Sequence, residues 1–170
     1  MTAPAPPEAY YGHSDDALVL SFKGRLHYAT AEPVRAFFER VPTRDDETVI
    51  IDLRQLVAID STGMGLLARV GRKTLERGRR AVIVCSNDDV GICLRSAAFD
   101  KLFLLLDDWP LETEVTLHEV PRDKSRLVPN DLGRLMLEAH RELAGISDQN
   151  RQTFANVISA LEAEVGGSRR

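Results

Sequence analysis

Short apolar segments separated by amphipathic ones constrain the fold of this chain more than any other feature. Residues 18–22, 48–53, 81–85 and 102–106 are apolar runs of strand length, and residues 48–53 have the pattern of a strand covered on both faces. The segments between them carry apolar residues at helical spacing: Val34, Phe37, Phe38 and Val41, then Met64, Leu67, Ala68, Gly71 and Leu75. This alternation predicts an α/β domain, with helices packed on a parallel or mixed sheet of about four to five strands.

Turn and capping residues suggest where these elements begin and end. Gly24 allows a turn after the first strand, and Gly78 is placed to end the second helix. Thr30 is a candidate N-cap, with Pro33 in the first helical turn. The third helix is short and carries Val90, Ile92, Leu94 and Ala98; its candidate caps are Asp88 and Asp89.

The C-terminal part of the chain has a different pattern. Residues 109–120 can be interpreted as helix or strand, and Pro110 favours a helix; residues 121–130 are polar and are interpreted as a linker. Residues 131–166 then predict a hairpin of two amphipathic helices, with Ser147 capping the second. Its apolar stripes are Leu132, Leu135, Met136, Ala139 and Leu143, then Phe154, Val157, Ile158, Leu161 and Val165.

This hairpin is too small to bury its own stripes. It must fold back onto the sheet domain or pair with a second chain. A symmetric pairing buries identical apolar faces, so we expect a homodimer through residues 131–165.

Composition narrows the range of functions. A net charge of −4 gives no basic face for nucleic acid. Residues 1–14 are interpreted as a disordered tail that lacks the basic and apolar regions of a signal peptide. No apolar run approaches the roughly 20 residues that span a bilayer, so we expect a cytoplasmic protein without membrane insertion. The two cysteines, Cys85 and Cys93, fit no metal or redox motif.

The junction between the second strand and its helix reads Ile59-Asp60-Ser61-Thr62-Gly63. A helix N-terminus carries unpaired N–H groups and a positive dipole end, so a phosphate on Ser61 would be tolerated there. The same residues also fit a purely structural role, in which Asp60 or Ser61 caps the helix and the glycines permit close packing.

Enzyme chemistry finds little support in the sequence. Ser61 is not in a Gly-x-Ser-x-Gly motif, because Ile59 occupies the first glycine position. The four histidines, His13, His27, His118 and His140, are scattered without metal-ligand spacing, and no phosphate-binding Gly-x-x-x-x-Gly-Lys loop is present. We therefore expect no catalytic residue, no metal and no cofactor.

Two motifs within residues 15–120 resemble the STAS domain family. One is the run Asp60-Ser61-Thr62-Gly63-Met64-Gly65 between an apolar strand and a helix. The other is Gly24-Arg25-Leu26-His27-Tyr28-Ala29-Thr30-Ala31, which departs from the family pattern at His27, where antagonists usually carry Asp.

The resemblance implies an anti-sigma factor antagonist that acts by partner switching. In that role a serine-kinase anti-sigma factor phosphorylates Ser61, with Thr62 as the alternative target, and a cognate phosphatase resets it. The implied partner surface comprises His27, Asp60, Ser61, Thr62, Gly63 and Met64. The alternatives are a constitutive scaffold or complex subunit, stressosome-like or transporter-associated and assembled through the C-terminal helices, and a sensor of a small ligand.

Overall fold

A computed structural model describes residues 8–40, 44, 46–112, 114–121 and 129–167. The strands are β1 (Glu8–His13), β2 (Ala17–Leu26), β3 (Thr48–Ile59), β4 (Ala81–Val84), β5 (Phe103–Leu106) and β6 (His118–Glu119). The helices are α1 (Tyr28–Phe38), α2 (Ser61–Glu76), α3 (Asp88–Ser96), α4 (Pro129–Ala144) and α5 (Asp148–Gly167), with a 3-10 turn at Phe99–Lys101.

The strands form one mixed sheet in the order β5-β4-β3-β2-β1-β6. Strands β2 to β5 are parallel, whereas β1 runs antiparallel to β2 and β6 antiparallel to β1. The predicted α/β fold with a C-terminal helical pair is thus confirmed.

Two predictions at this edge of the sheet are wrong. Residues 8–13 were expected in a disordered tail, but they form β1, whose Tyr10 and Tyr11 pair with Ser21 and Leu20. The remainder of that predicted tail within residues 1–7 lies outside the described residues. For residues 109–120 a helix was favoured over a strand, but their described residues contain no helix and include the strand β6.

The alternation of side chains along the parallel strands separates two apolar layers. Leu18, Leu20, Ile51 and Ile83 belong to the main core beneath the helices. On the other face a smaller cluster holds Ala17, Val19, Ile50, Val82 and Val84, covered by Leu106, Trp109, Leu111 and Val115. Trp109, Leu111 and Val115 therefore serve as part of the cover of this second face.

The helix boundaries follow hydrogen bonds that differ in part from the predicted ones. Gly78 ends α2 as predicted: its φ is +75°, and its N–H donates to the Leu75 carbonyl at 2.8 Å. Helix α1 begins at Tyr28, so Thr30 is not its cap and Pro33 lies in the helix interior. Asn87, rather than Asp88 or Asp89, caps α3.

Gly24 does not end the first strand. It lies within β2 at a φ of +74°, where the register with β3 shifts, and so it forms part of a bulge.

The C-terminal helices pack on the sheet domain of the same chain. Leu135 and Leu143 of α4 join the main core, and the Arg72 guanidinium of α2 donates to the Glu142 carboxylate at 2.8 Å and to its carbonyl at 2.9 Å. The Asn150 amide donates to the Ala97 and Leu143 carbonyls, both at 2.9 Å. Ser147 caps α5 as predicted.

This packing corrects the argument for a homodimer through residues 131–165. That expectation rested on the need to cover the apolar stripes with a second chain. The chain covers the α4 stripe itself, so the stripe no longer requires a partner copy.

Candidate functional site

The candidate site lies at the carboxyl ends of β2 and β3, where α1 and α2 begin. Asp60 links the two helices: its carboxylate accepts from the Gly63 N–H of α2 at 2.8 Å and from the Tyr28 N–H of α1 at 3.1 Å. One side chain thus satisfies amides at two helix N-termini. This fixes the position of Ser61, the first residue of α2.

Two glycines of α2 allow neighbouring backbones to approach the site closely. A Cβ atom at Gly63 would lie 2.6 Å from the Leu26 carbonyl oxygen at the end of β2. A Cβ atom at Gly65 would lie 2.5 Å from the Cα and Cβ atoms of Ala139 in α4. Helix α4 therefore crosses the first turns of α2 at backbone contact distance.

Ser61 forms a hydrogen bond with a histidine from the C-terminal hairpin. The Ser61 Oγ lies 3.0 Å from His140 Nε2, and His140 Nδ1 lies 2.6 Å from the Met136 carbonyl oxygen. A carbonyl oxygen only accepts, so Nδ1 carries the proton and donates to Met136. With the ring neutral, Nε2 is an acceptor, and the Ser61 hydroxyl donates to it.

The His140 side chain is fixed by its surroundings. The residue is only 5% exposed, and its ring meets the Phe154 ring of α5 edge-on, at 5.6 Å between centroids. The serine, the histidine and the carbonyl form a chain of hydrogen bonds that runs from α2 to α4. This chain connects the candidate site to a part of the molecule outside the resemblance.

Sequence analysis missed the role of His140, because it treated the histidines as scattered. The available signal was its position in α4, four residues after Met136 and three before Leu143, which places it beside the buried stripe. A histidine there needs a polar partner. Only the fold shows that the partner is Ser61, which lies 79 residues earlier.

The other predicted site residues differ in how far their side chains are exposed. His27 and Ser61 are partly exposed, and the neighbouring Tyr28 is 45% exposed. Thr62 is 2% exposed and Gly63 is buried, while Met64 packs partly buried against the main core. The accessible part of the predicted surface is therefore formed by His27, Asp60 and Ser61, together with Tyr28, which was not predicted.

A partly exposed ion-pair network flanks the contact between α2 and α4. A hydrogen bond to Glu32 is the main cause that raises the pKa of Arg35, whose guanidinium also lies 3.7 Å from the Glu138 carboxylate of α4. Among the described residues, no group of three or more His, Cys, Asp or Glu side chains is arranged to hold a metal ion. In the same part of the chain, no helix combines the length and apolarity needed to cross a membrane.

Solved structures with a similar fold include two anti-sigma factor antagonists. One, from Mycobacterium paratuberculosis, has a TM-score of 0.56 at 20% identity and covers 64% of this chain and 92% of its own. The other, SpoIIAA in its unphosphorylated form, has a TM-score of 0.46 at 19% identity and covers 60% of this chain and 89% of its own. The first of these likenesses shows a shared fold.

Sequence comparison gives the family. No curated protein sequence matches the chain. The STAS domain family model, in contrast, matches residues 10–119, which extend from β1 to β6 and include the junction around Ser61. This chain therefore belongs to the STAS domain family.

Proposed function

We propose that this protein is an anti-sigma factor antagonist, a non-catalytic binding module whose partner is selected by phosphorylation of Ser61. The observation that carries the proposal is the position of Ser61. It is the first residue of α2, it is partly exposed, and its hydroxyl is held at the junction of a STAS domain. The motif residue beside it, Asp60, is already engaged as a cap for two helices.

The local electrostatics support a phosphate at this position. A phosphoserine carries about −1.5 to −2 charge at neutral pH, and the N-terminus of a helix stabilises negative charge. The exposure of the two hydroxyls supports Ser61 over Thr62, because Thr62 is 2% exposed and faces the core. A kinase would reach Ser61 first.

The partners in this proposal are a serine kinase that acts as the anti-sigma factor and a phosphatase that removes the phosphate. The kinase would contact the surface formed by His27, Tyr28, Asp60 and Ser61. In the complex with the unmodified protein, the kinase surface is complementary to the neutral hydroxyl of Ser61. Phosphorylation places negative charge in that interface, and the desolvation of this charge weakens the complex.

A second candidate function is a constitutive subunit of a larger complex. The hydrogen bond between Ser61 and the buried His140 favours it, because a hydroxyl fixed in this way can serve stability alone. In this role Ser61 stays unmodified and the helical hairpin contributes to assembly. The two functions differ in whether Ser61 ever receives a phosphate.

Intact-mass measurement separates the two. The protein is incubated with ATP and each candidate serine kinase of the histidine-kinase ATPase type from the same organism. We expect a gain of one phosphoryl group, lost in Ser61→Ala and kept in Thr62→Ala. Calorimetry with the same kinase should then show persistent binding of Ser61→Ala and weak binding of Ser61→Asp. Equal affinities for these two variants, or no mass change with any kinase, would support the constitutive subunit.

A further inference from the structure

Helix α4 approaches α2 most closely next to Ser61. Two consecutive residues make the approach: Ala139 lies against Gly65, and His140 accepts the hydrogen bond of Ser61. A half-open pocket elsewhere on the same seam, lined in part by Thr62, Gly65 and Ala139 but by neither Ser61 nor His140, has a volume of about 20 Å³. This volume holds about one water molecule.

A phosphoryl group on Ser61 disrupts the contact between Ser61 and His140. Phosphorylation forms a bond between Oγ and the γ-phosphorus of ATP while the bond to the bridging oxygen breaks, ADP leaves, and the hydroxyl proton is released to solvent. The modified Oγ has no proton to donate to His140 Nε2, which lies 3.0 Å away, and the three phosphate oxygens add volume and charge beside α4. Since α4 already meets α2 at backbone contact distance at Gly65, added volume between the two helices displaces α4 outward.

We infer that the α4–α5 hairpin is a lid that closes over unmodified Ser61 and is released from α2 when Ser61 is phosphorylated. The inference rests on the proposed phosphorylation of Ser61 and adds a regulatory step to it. Release separates Leu66 of α2 from Leu135 of α4, both of which are buried in the closed state. Phosphorylation therefore changes the exposed surface of the protein as well as its charge.

Two further contacts, both C-terminal to His140 in the hairpin, hold the lid closed. Arg72 binds Glu142 two residues further along α4, and the Asn150 amide at the start of α5 donates to the Ala97 carbonyl at the end of α3. The contact at Ala97 is remote from Ser61 along the hairpin. At this contact the hairpin stays attached while α4 and α5 move together away from Ser61, which makes the release a local opening rather than unfolding.

Hydrogen exchange on a protein with phosphoserine at position 61 tests the inference. The phosphoserine is installed during translation, so the experiment needs no kinase. We expect the amides of α4 to exchange at least about tenfold faster than in the unmodified protein, which corresponds to about 1.4 kcal/mol of weakened closure. Exchange in β2, β3 and β4 should not change.

Two control proteins show whether the phosphate at position 61 causes the faster exchange of α4. Phosphoserine at the exposed Ser86 adds the same group in the loop after β4, and it should leave α4 unchanged. Ser61→Ala removes the hydrogen bond without adding volume, and it should accelerate exchange less than phosphoserine at 61. Unchanged α4 exchange in the protein phosphorylated at 61 would overturn the lid, since the phosphate would then pair with a protonated His140 in the closed state. If the lid opens in the protein with phosphoserine at 61 but no kinase modifies Ser61, the proposed function is refuted and the lid is not.

Discussion

At the scale of single residues, Asp60 connects the geometry of the site to the stability of the fold. Its two carboxylate oxygens cap α1 and α2 separately, and its own N–H donates to the Leu26 carbonyl at 3.1 Å. The helices therefore begin where β2 and β3 end because a single side chain holds both amides. These hydrogen bonds of Asp60 fix the position of Ser61, the next residue.

We predict that Asp60→Ala lowers the free energy of unfolding by about 1–3 kcal/mol, because it removes two caps and leaves amides unsatisfied. Urea denaturation followed by circular dichroism measures the change. Asp88→Ala is the matched control: it removes an exposed carboxylate from the first turn of α3, where Asn87 is the cap, and should change stability by less than about 0.5 kcal/mol. Equal losses in the two variants would contradict the double-cap role.

The two cysteines should differ in reactivity. Burial raises the pKa of the Cys85 thiol, so less of it is present as the reactive thiolate at a given pH, whereas Cys93 is exposed. We predict that iodoacetamide at mildly alkaline pH alkylates Cys93 first, as followed by peptide mass mapping. In Cys93→Ser the remaining thiol should react slowly in the native state and rapidly in denaturant. Rapid labelling of Cys85 in the native state would contradict the expected protection.

The residues of the site differ in how far the sequence could predict them. Asp60 and Ser61 lie in one continuous motif, so local chemistry indicates a helix N-terminus with a hydroxyl. His140 reaches Ser61 only because α4 folds back over α2, and no local pattern encodes that contact. The start of α1 also depends on a contact that local sequence does not encode, since the Asp60 carboxylate caps the Tyr28 N–H across 32 residues of sequence.

At the scale of elements, the contact between α2 and α4 depends on small residues. Gly65 and Ala139 let the two backbones meet, and the polar pairs of Ser61 with His140 and Arg72 with Glu142 lie on either side of that point. Side chains of ordinary size at Gly65 would hold the helices apart.

We predict that Gly65→Ala displaces α4 and lowers the free energy of unfolding by about 1–3 kcal/mol, in the range expected for overpacking. Differential scanning calorimetry and hydrogen exchange of α4 measure the two effects. The matched control is Gly91→Ala in α3, where a Cβ would lie 3.2 Å from the movable Arg95 guanidinium. That variant should be neutral or more stable, because alanine favours helix by about 0.8–1 kcal/mol over glycine. A Gly65→Ala protein with native stability and native α4 exchange would rule out the tight contact.

The sequence predicted the elements whose own amino-acid composition identifies them. The apolar runs of β3 and β4 are covered on both sides, so their composition alone identifies them. Strand β1 and the edge strand β6 are partly exposed. They are stabilised by the pairing of β1 with β2 and of β6 with β1, which a single-sequence pattern does not contain. The second face of the sheet likewise determines where Trp109, Leu111 and Val115 pack, and no local pattern contains that contact.

At the scale of the whole molecule, the hairpin forms a further layer of the domain. Helix α4 lies outside α2, and α5 lies against α4, while α1, α2 and α3 cover the sheet. Leu135 and Leu143 belong to the same buried cluster as Leu18 and Ile51. The chain therefore stabilises its candidate site with a segment that lies outside the matched family region at 10–119.

We predict that the full chain is a monomer in solution and that truncation after Pro121 gives a less stable protein that self-associates. Removal of α4 and α5 uncovers apolar surface on α2, and each of Leu135 and Leu143 contributes about 1.5–3 kcal/mol when fully buried. Light scattering at matched concentrations and thermal denaturation measure both effects. A milder variant, Asn150→Ala, removes only the tie between α5 and the Ala97 carbonyl and should lower the melting temperature without association. A full-length dimer that becomes a stable monomer on truncation would instead restore the homodimer through residues 131–165, because the hairpin would then be covering a second chain rather than its own helix α2.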